Sequence, residues 1–185
     1  MHVVTAILRS VSPYSQGRYH AIPRNDRETA DDHEHRTWRE RVHADSNGEV
    51  FIPPMALKNC LAECAKFRSE QVPGKGKATY TKHFEAGLLV LDPLRLGIQK
   101  DDVEGEWLFV PADGRRGSGK RVMKCFPVVQ SWEATATIHV LDDAITKDVF
   151  ERHLAEAGRF IGMGRFRPRN NGYYGRFEVI SLTWE

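Results

Sequence analysis

The sequence lacks the marks of several common protein classes. No apolar run approaches the ~20 residues of a membrane-spanning helix. The opening MHVVTAILRSVSPY has neither a basic segment nor a small-residue cleavage site before the polar SPYSQGRYH, so no signal peptide is expected. Cysteine is scarce. Cys60, Cys64 and Cys125 make an odd number with no Cys-x-x-Cys pair, which points away from a disulfide framework and toward reduced thiols in a cytoplasmic protein. Charge of one sign is also missing: 27 Lys and Arg against 25 Asp and Glu leave a formal net charge of +2. A globally basic nucleic-acid binder is thereby excluded, and any polyanion-binding surface must arise from local clustering. There are no internal repeats and no low-complexity tract.

What remains is a chain of 185 residues, 41% hydrophobic and 28% charged, long enough for one domain with a real core. Residues 2–11 alternate as a first strand ending at Ser12-Pro13. A polar stretch at about 15–47 reads as a long excursion or a solvated helix. Residues 50–52 form a short strand edge, the Pro53-Pro54 pair ends it, and Leu57, Leu61, Cys64 and Ala65 recur at helical spacing through Phe67. After the basic loop 71–83, residues 86–96 read as one apolar strand with Pro93 near its end. Two apolar runs around a Gly-rich basic tip make 106–129 a long projecting β-hairpin. Residues 132–141 alternate as a strand, 144–157 carry helical spacing with Gly158 as C-cap, and 177–184 close the chain as a strand. The order predicts an α+β fold of ferredoxin-like (RRM-related) type, with helices on one face of an antiparallel sheet.

Chemistry concentrates in residues 159–176. Gly162, Gly164, Gly172 and Gly175 stand among Arg159, Arg165, Arg167, Arg169 and Arg176, with no acid in the segment. Glycine lets a polyanion approach main-chain N–H groups, and each guanidinium offers a planar fork to phosphate. Tyr173 and Tyr174 are placed to stack on unpaired bases, whereas Phe160 and Phe166 suit a packed core equally well. A second acid-free cluster, 115-RRGSGKRVMK-124, puts Arg115, Arg116, Lys120, Arg121 and Lys124 at the hairpin tip, where it reads as a clamp or as a solvated loop. Lys75, Lys77, Tyr80 and Lys82 form a third, weaker group.

Two separated motifs carry a resemblance. The segment 51-FIPPMALKNCLAECAKF-67 resembles the strand-to-helix junction of the RAMP superfamily, which binds guide RNA in CRISPR effector complexes. Ile52, Pro53, Leu57 and Lys58 keep its pattern, while Pro54, Met55, Ala56 and Asn59 replace its small and glycine positions. The segment 158-GRFIGMGRFRPRNNGYYGRFEV-179 resembles the superfamily's C-terminal glycine-rich loop, and the hairpin between them occupies the place of its "thumb". The resemblance implies a single RAMP-like domain over 1–185, interrupted at about 15–47 and 106–129. It also implies single-stranded RNA held by its backbone, with partners that are further copies or other CRISPR-type subunits. Lys58, Asn59, Arg115, Arg116, Lys120, Arg121, Arg165, Arg167, Arg169, Tyr173, Tyr174 and Arg176 are then the expected RNA contacts. No cofactor, metal or membrane is implied.

Two other readings stand beside it. One is an RNA endonuclease of the same fold, with His20 and Asp26, Asp31 or Asp32 as candidate groups. The other is a phage-type inhibitor that mimics a CRISPR backbone subunit. The run of His33, His35 and His43 near Asp31, Asp32 and Glu34 reads as solvated surface rather than a metal site.

Overall fold

The computed structural model describes residues 1–185 apart from Arg116 and Ser118. Strand β1, His2–Ser10, comes first, with Val4, Ala6 and Leu8 buried on one side and Thr5 and Arg9 exposed on the other. A two-residue strand β2, Tyr14–Ser15, leads into the polar excursion, which folds into helix α1, Ala30–Thr37. Thr29 caps α1 by accepting the Asp32 N–H at 3.1 Å. Strand β3, Glu49–Ile52, runs into helix α2, Pro54–Arg68, where Pro54 sits in the first turn and has no N–H to leave unpaired. Residues Leu57, Cys60, Leu61, Cys64 and Ala65 form the buried stripe of α2.

The stretch expected to be one strand over 86–96 is broken into three parts. Helix α3, Thr81–Ala86, ends at Gly87, strand β4 is only Leu88–Leu89, and strand β5, Leu94–Gln99, starts after Asp92-Pro93. A proline in mid-strand removes a ladder donor, so β4 and β5 join different sheets. Strands β6, Glu104–Pro111, and β7, Arg121–Val129, make the expected hairpin. Strand β8, Glu133–Val140, and helix α4, Lys147–Glu156, follow, and strand β9, Phe177–Trp184, closes the chain.

One antiparallel sheet has the order β4-β8-β1-β9. With α2 lying between β1 and β4 in sequence and α4 between β8 and β9, this is the ferredoxin-like arrangement. The core lies between the sheet and these helices, where Val4, Ala6, Leu8, Ala136 and Ile138 meet Leu57, Leu61, Phe150 and Leu154. The opposite sheet face carries Thr5, Arg9, Glu133, Thr135, Thr137 and Thr183, and no Phe, Tyr or Trp among the described residues. Bases therefore have no aromatic platform on that face.

The hairpin forms a second sheet, β2-β7-β6, whose base is wedged between two segments distant in sequence. On one face, the His35 ring of α1 lies 4.0 Å from that of Trp107. The other face presents Glu106 and Phe126, paired across the strands, to the glycine loop. Along β7, past the end of β2, the Cys125 N–H donates to Glu34 at 2.9 Å and the Cys125 carbonyl accepts from Arg41 at 3.1 Å. The polar excursion is thus no solvated helix throughout: Glu34 is 1% exposed and closes an open strand edge.

Candidate nucleic-acid interface

Helix α4 does not stop at Gly158. It continues through a π turn, Ala157–Ile161, in which the Gly162 N–H donates to Ala157 O at 2.9 Å, and Gly162 ends it with φ +73°. Gly158 is needed for a different reason, since a Cβ there would lie 2.1 Å from Phe177 O.

The loop from Gly162 to Arg176 is folded on itself and on the segment after β1. Met163 N–H donates to Gly175 O, Gly175 N–H to Pro13 O and Arg165 N–H to Ser15 O, at 2.7–3.0 Å. A Cβ on Gly175 would sit 1.8 Å from Met163 O, and one on Gly172 1.7 Å from Phe166 O. Expected to open the main chain to a ligand, these glycines instead let one loop strand cross close to another.

The arginines divide into two sets. Although the loop has no acid of its own, Arg165 donates to Glu106 at 3.1 Å and to Ser15 Oγ at 3.0 Å. Its guanidinium lies 3.9 Å from the Phe126 ring centre, and burial lowers its pKa. Arg167 pairs with Glu63 of α2 at 2.7 Å. Both are mostly enclosed. Arg159, Arg169 and Arg176 have no ion pair among the described residues; Arg159 and Arg169 are exposed, and Arg176 spends its Nε–H on Arg159 O at 3.1 Å.

These free cations sit around exposed aromatics. Phe67, at the end of α2, is 51% exposed and lies 6.0 Å from Phe160, which is 44% exposed. Arg169 stands 5.7 Å over Phe67 and Arg159 5.3 Å over Phe160. Phe160 is therefore no core residue, and Phe67 lies off the buried stripe. Tyr174, by contrast, offers no open face to a base. It is 6% exposed between Tyr173, 4.6 Å away, and the Arg165 guanidinium, and burial raises its pKa to about 12. Tyr173 remains half exposed, and Phe166 is also exposed, at φ +52°.

At the hairpin tip, Arg115 and Arg121 are exposed. The Arg115 N–H donates to Asp113, and the Arg121 side chain donates to Phe109 O at 2.6 Å while lying 5.7 Å from the exposed Phe109 ring. Lys120 is exposed and has a partner. Arg116 lies outside the described residues. Lys124 is drawn away from the tip to Glu34 at 2.9 Å. Lys58 donates from Nζ to Glu85 O at 2.7 Å, and Asn59 beside it is exposed. Tyr80 of the third basic group is buried.

The His and Asp string is dispersed. His35 lies against Trp107, His33 hydrogen-bonds Ile22 O at 2.9 Å, and Glu34 is taken by Arg41 and Lys124. No group of three or more His, Cys, Asp or Glu among the described residues is arranged to hold a metal ion. The His20 and His33 rings are 6.3 Å apart, with the His20 pKa lowered by burial and by Arg41. Asp26, Asp31 and Asp32 are exposed. All three thiols are buried, and burial raises the pKa of Cys60, of Cys64 to about 12 and of Cys125 to about 11. No helix among the described residues is long and apolar enough to cross a membrane.

No protein-family model matches the sequence, and no curated protein matches it. Solved structures match its fold. The chain aligns over 99% of its length, at 9% identity and a TM-score of 0.60, with a chain in the cryo-EM structure of the Type III-B Cmr-beta bound to cognate target RNA, spanning 60% of that chain. It aligns over 96% of its length with Cmr6 from Pyrococcus furiosus, covering 97% of that chain at 13% identity and a TM-score of 0.50. At such identities the likeness is one of fold.

Proposed function

We propose that this chain binds single-stranded RNA by its phosphate backbone, as a non-cleaving subunit of a RAMP-type CRISPR assembly. The observation that carries the reading is the set of exposed Arg159 and Arg169 and half-buried Arg176, cations with no ion pair among the described residues, grouped around Phe67 and Phe160. A guanidinium already held by an internal carboxylate gains little from phosphate, whereas an unpaired one offers its full charge and most of its donors. Arg165 and Arg167 shape the loop, and Arg159, Arg169 and Arg176 do the gripping.

The hairpin tip supplies a second hold through Arg115, Arg121 and Lys120, with Arg116 in the same sequence. Lys58 and Asn59 extend the basic track along α2, and Tyr173 is left to stack on a base. The fold supports this reading, because a chain of like fold occurs in a structure bound to cognate target RNA. Copies or other CRISPR-type subunits adjoin it along the strand.

The test is binding of a labelled 30-nucleotide RNA across a salt series. If Arg159, Arg169 and Arg176 each neutralise one phosphate, they contribute about −2 to the slope of log K against log salt, beyond what the hairpin tip adds. The RNA stays intact with or without divalent metal, and the protein's mass in solution rises by whole copies as RNA is added. Absence of RNA binding at low salt would overturn the proposal.

A further inference from the structure

A depression of about 300 Å³ lies beside the glycine loop, lined by Val11, Gly158, Arg159, Phe160, Arg176 and Phe177. That is the lower end of the volume of small-molecule sites, ~300–1,000 Å³. We propose that it is a pocket for one unpaired nucleobase of the bound strand, with Phe160 as the stacking platform and Arg159 and Arg176 holding the adjoining phosphate. The inference rests on the RNA-binding reading and deepens it by naming the part of the ligand that this site takes.

The walls favour such an occupant. Phe160 is 44% exposed and Val11 61% exposed, so two apolar surfaces face water and gain by being covered. The only charged lining residues are Arg159 and Arg176, so an apolar body entering here finds cations at its rim and no acid. A flat apolar ring with an anion attached meets both demands, and a nucleotide of single-stranded RNA has that chemistry. A purely apolar peptide side chain would leave both guanidinium groups without a counter-charge.

The pocket is also held in shape before any ligand arrives. Val11 N–H and Ser12 N–H donate to Arg176 O at 2.8 and 3.3 Å, and Arg176 N–H donates to Ser12 Oγ at 3.0 Å. Ser12 Oγ–H in turn donates to Tyr173 O at 2.6 Å. The Arg176 side chain is tied to Arg159 O. Gly158 lets the π turn lie directly against Phe177, since a Cβ there would sit 2.1 Å from Phe177 O. Preformed walls of this kind lower the ordering cost of binding.

The experiment uses the full chain and a 12-nucleotide single-stranded RNA carrying one 2-aminopurine, scanned along the oligonucleotide. Binding to the wild type is expected to change 2-aminopurine emission at particular positions. Phe160→Leu keeps an apolar side chain but removes the aromatic face; it should abolish that position-dependent change and weaken binding about tenfold. Val11→Asp sets a carboxylate in the lining that holds the two arginines and should weaken binding at least as much. Both side chains are exposed, so unchanged melting temperatures serve as the folding control. RNA binding with an unaltered emission profile and affinity in both variants would overturn the pocket while leaving the RNA-binding reading intact. A wild type that binds no RNA would overturn both.

Discussion

Arg165 in the glycine loop reaches Glu106 at the base of the hairpin, its Nη2 lying 3.1 Å from the carboxylate, with the guanidinium stacked 3.9 Å over Phe126. This contact ties the C-terminal loop to the thumb-like hairpin, elements that leave the ferredoxin-like core at different points of the chain. A double-mutant cycle of Arg165→Ala and Glu106→Gln is expected to show a coupling of about 1–2 kcal/mol in urea unfolding. Additive effects would mean that the loop and hairpin are not coupled through this pair.

Glu34 governs the other face of the hairpin. Burial alone would raise its pKa, but hydrogen bonds from Arg41, the Cys125 N–H and Lys124 outweigh it and hold the value down at about 2. A folded pKa below the unfolded value of 4.5 contributes stability that is fully present above pH 4.5 and is lost as pH falls toward 2. The contribution is about 3 kcal/mol. Glu34→Gln should lower stability at pH 7 by roughly that amount and flatten its dependence between pH 4.5 and 2, as followed by chemical denaturation. An unchanged acid limb would remove Glu34 from this role.

Gly175 lies at φ +78° with Met163 O where a Cβ would go, whereas a Cβ on Gly17 meets nothing within 4 Å. Gly175→Ala should therefore destabilise by about 2–4 kcal/mol, and Gly17→Ala should fall within about 0.5 kcal/mol of wild type. Equal melting temperatures for the two variants would contradict the close crossing of loop strands.

The core strands were legible because alternation is a local signal. Val4, Ala6 and Leu8 announce β1, and residues 177–184 coincide with β9. The Pro53-Pro54 pair marked the end of β3 for the same reason, and α2 begins at Pro54. Features that depend on distant partners were not legible. An acid-free loop reads as a row of free arginines, yet the acids that meet it, Glu63 and Glu106, lie 104 and 59 residues away from Arg167 and Arg165. Gly158 looked like a cap because no sequence rule marks a π turn, and Phe67 looked buried because helical spacing does not show where the stripe ends. The polar excursion hid Glu34, whose burial makes sense only beside the open edge of β7.

The hairpin tip gives a separable prediction. Arg115→Ala with Arg121→Ala should weaken RNA binding several-fold, reduce the salt slope by about 1.4 and leave the melting temperature unchanged, because neither side chain carries an ion pair among the described residues. An unaltered slope would assign the tip to protein contacts instead.

The most direct measurement is the affinity of Arg159→Glu/Arg169→Glu for a 30-nucleotide single-stranded RNA at low salt, beside wild type and with melting temperatures for both. The account predicts an intact fold and a loss of at least a hundredfold, since two phosphate contacts become two repulsions. Wild-type affinity in the reversed variant would contradict it.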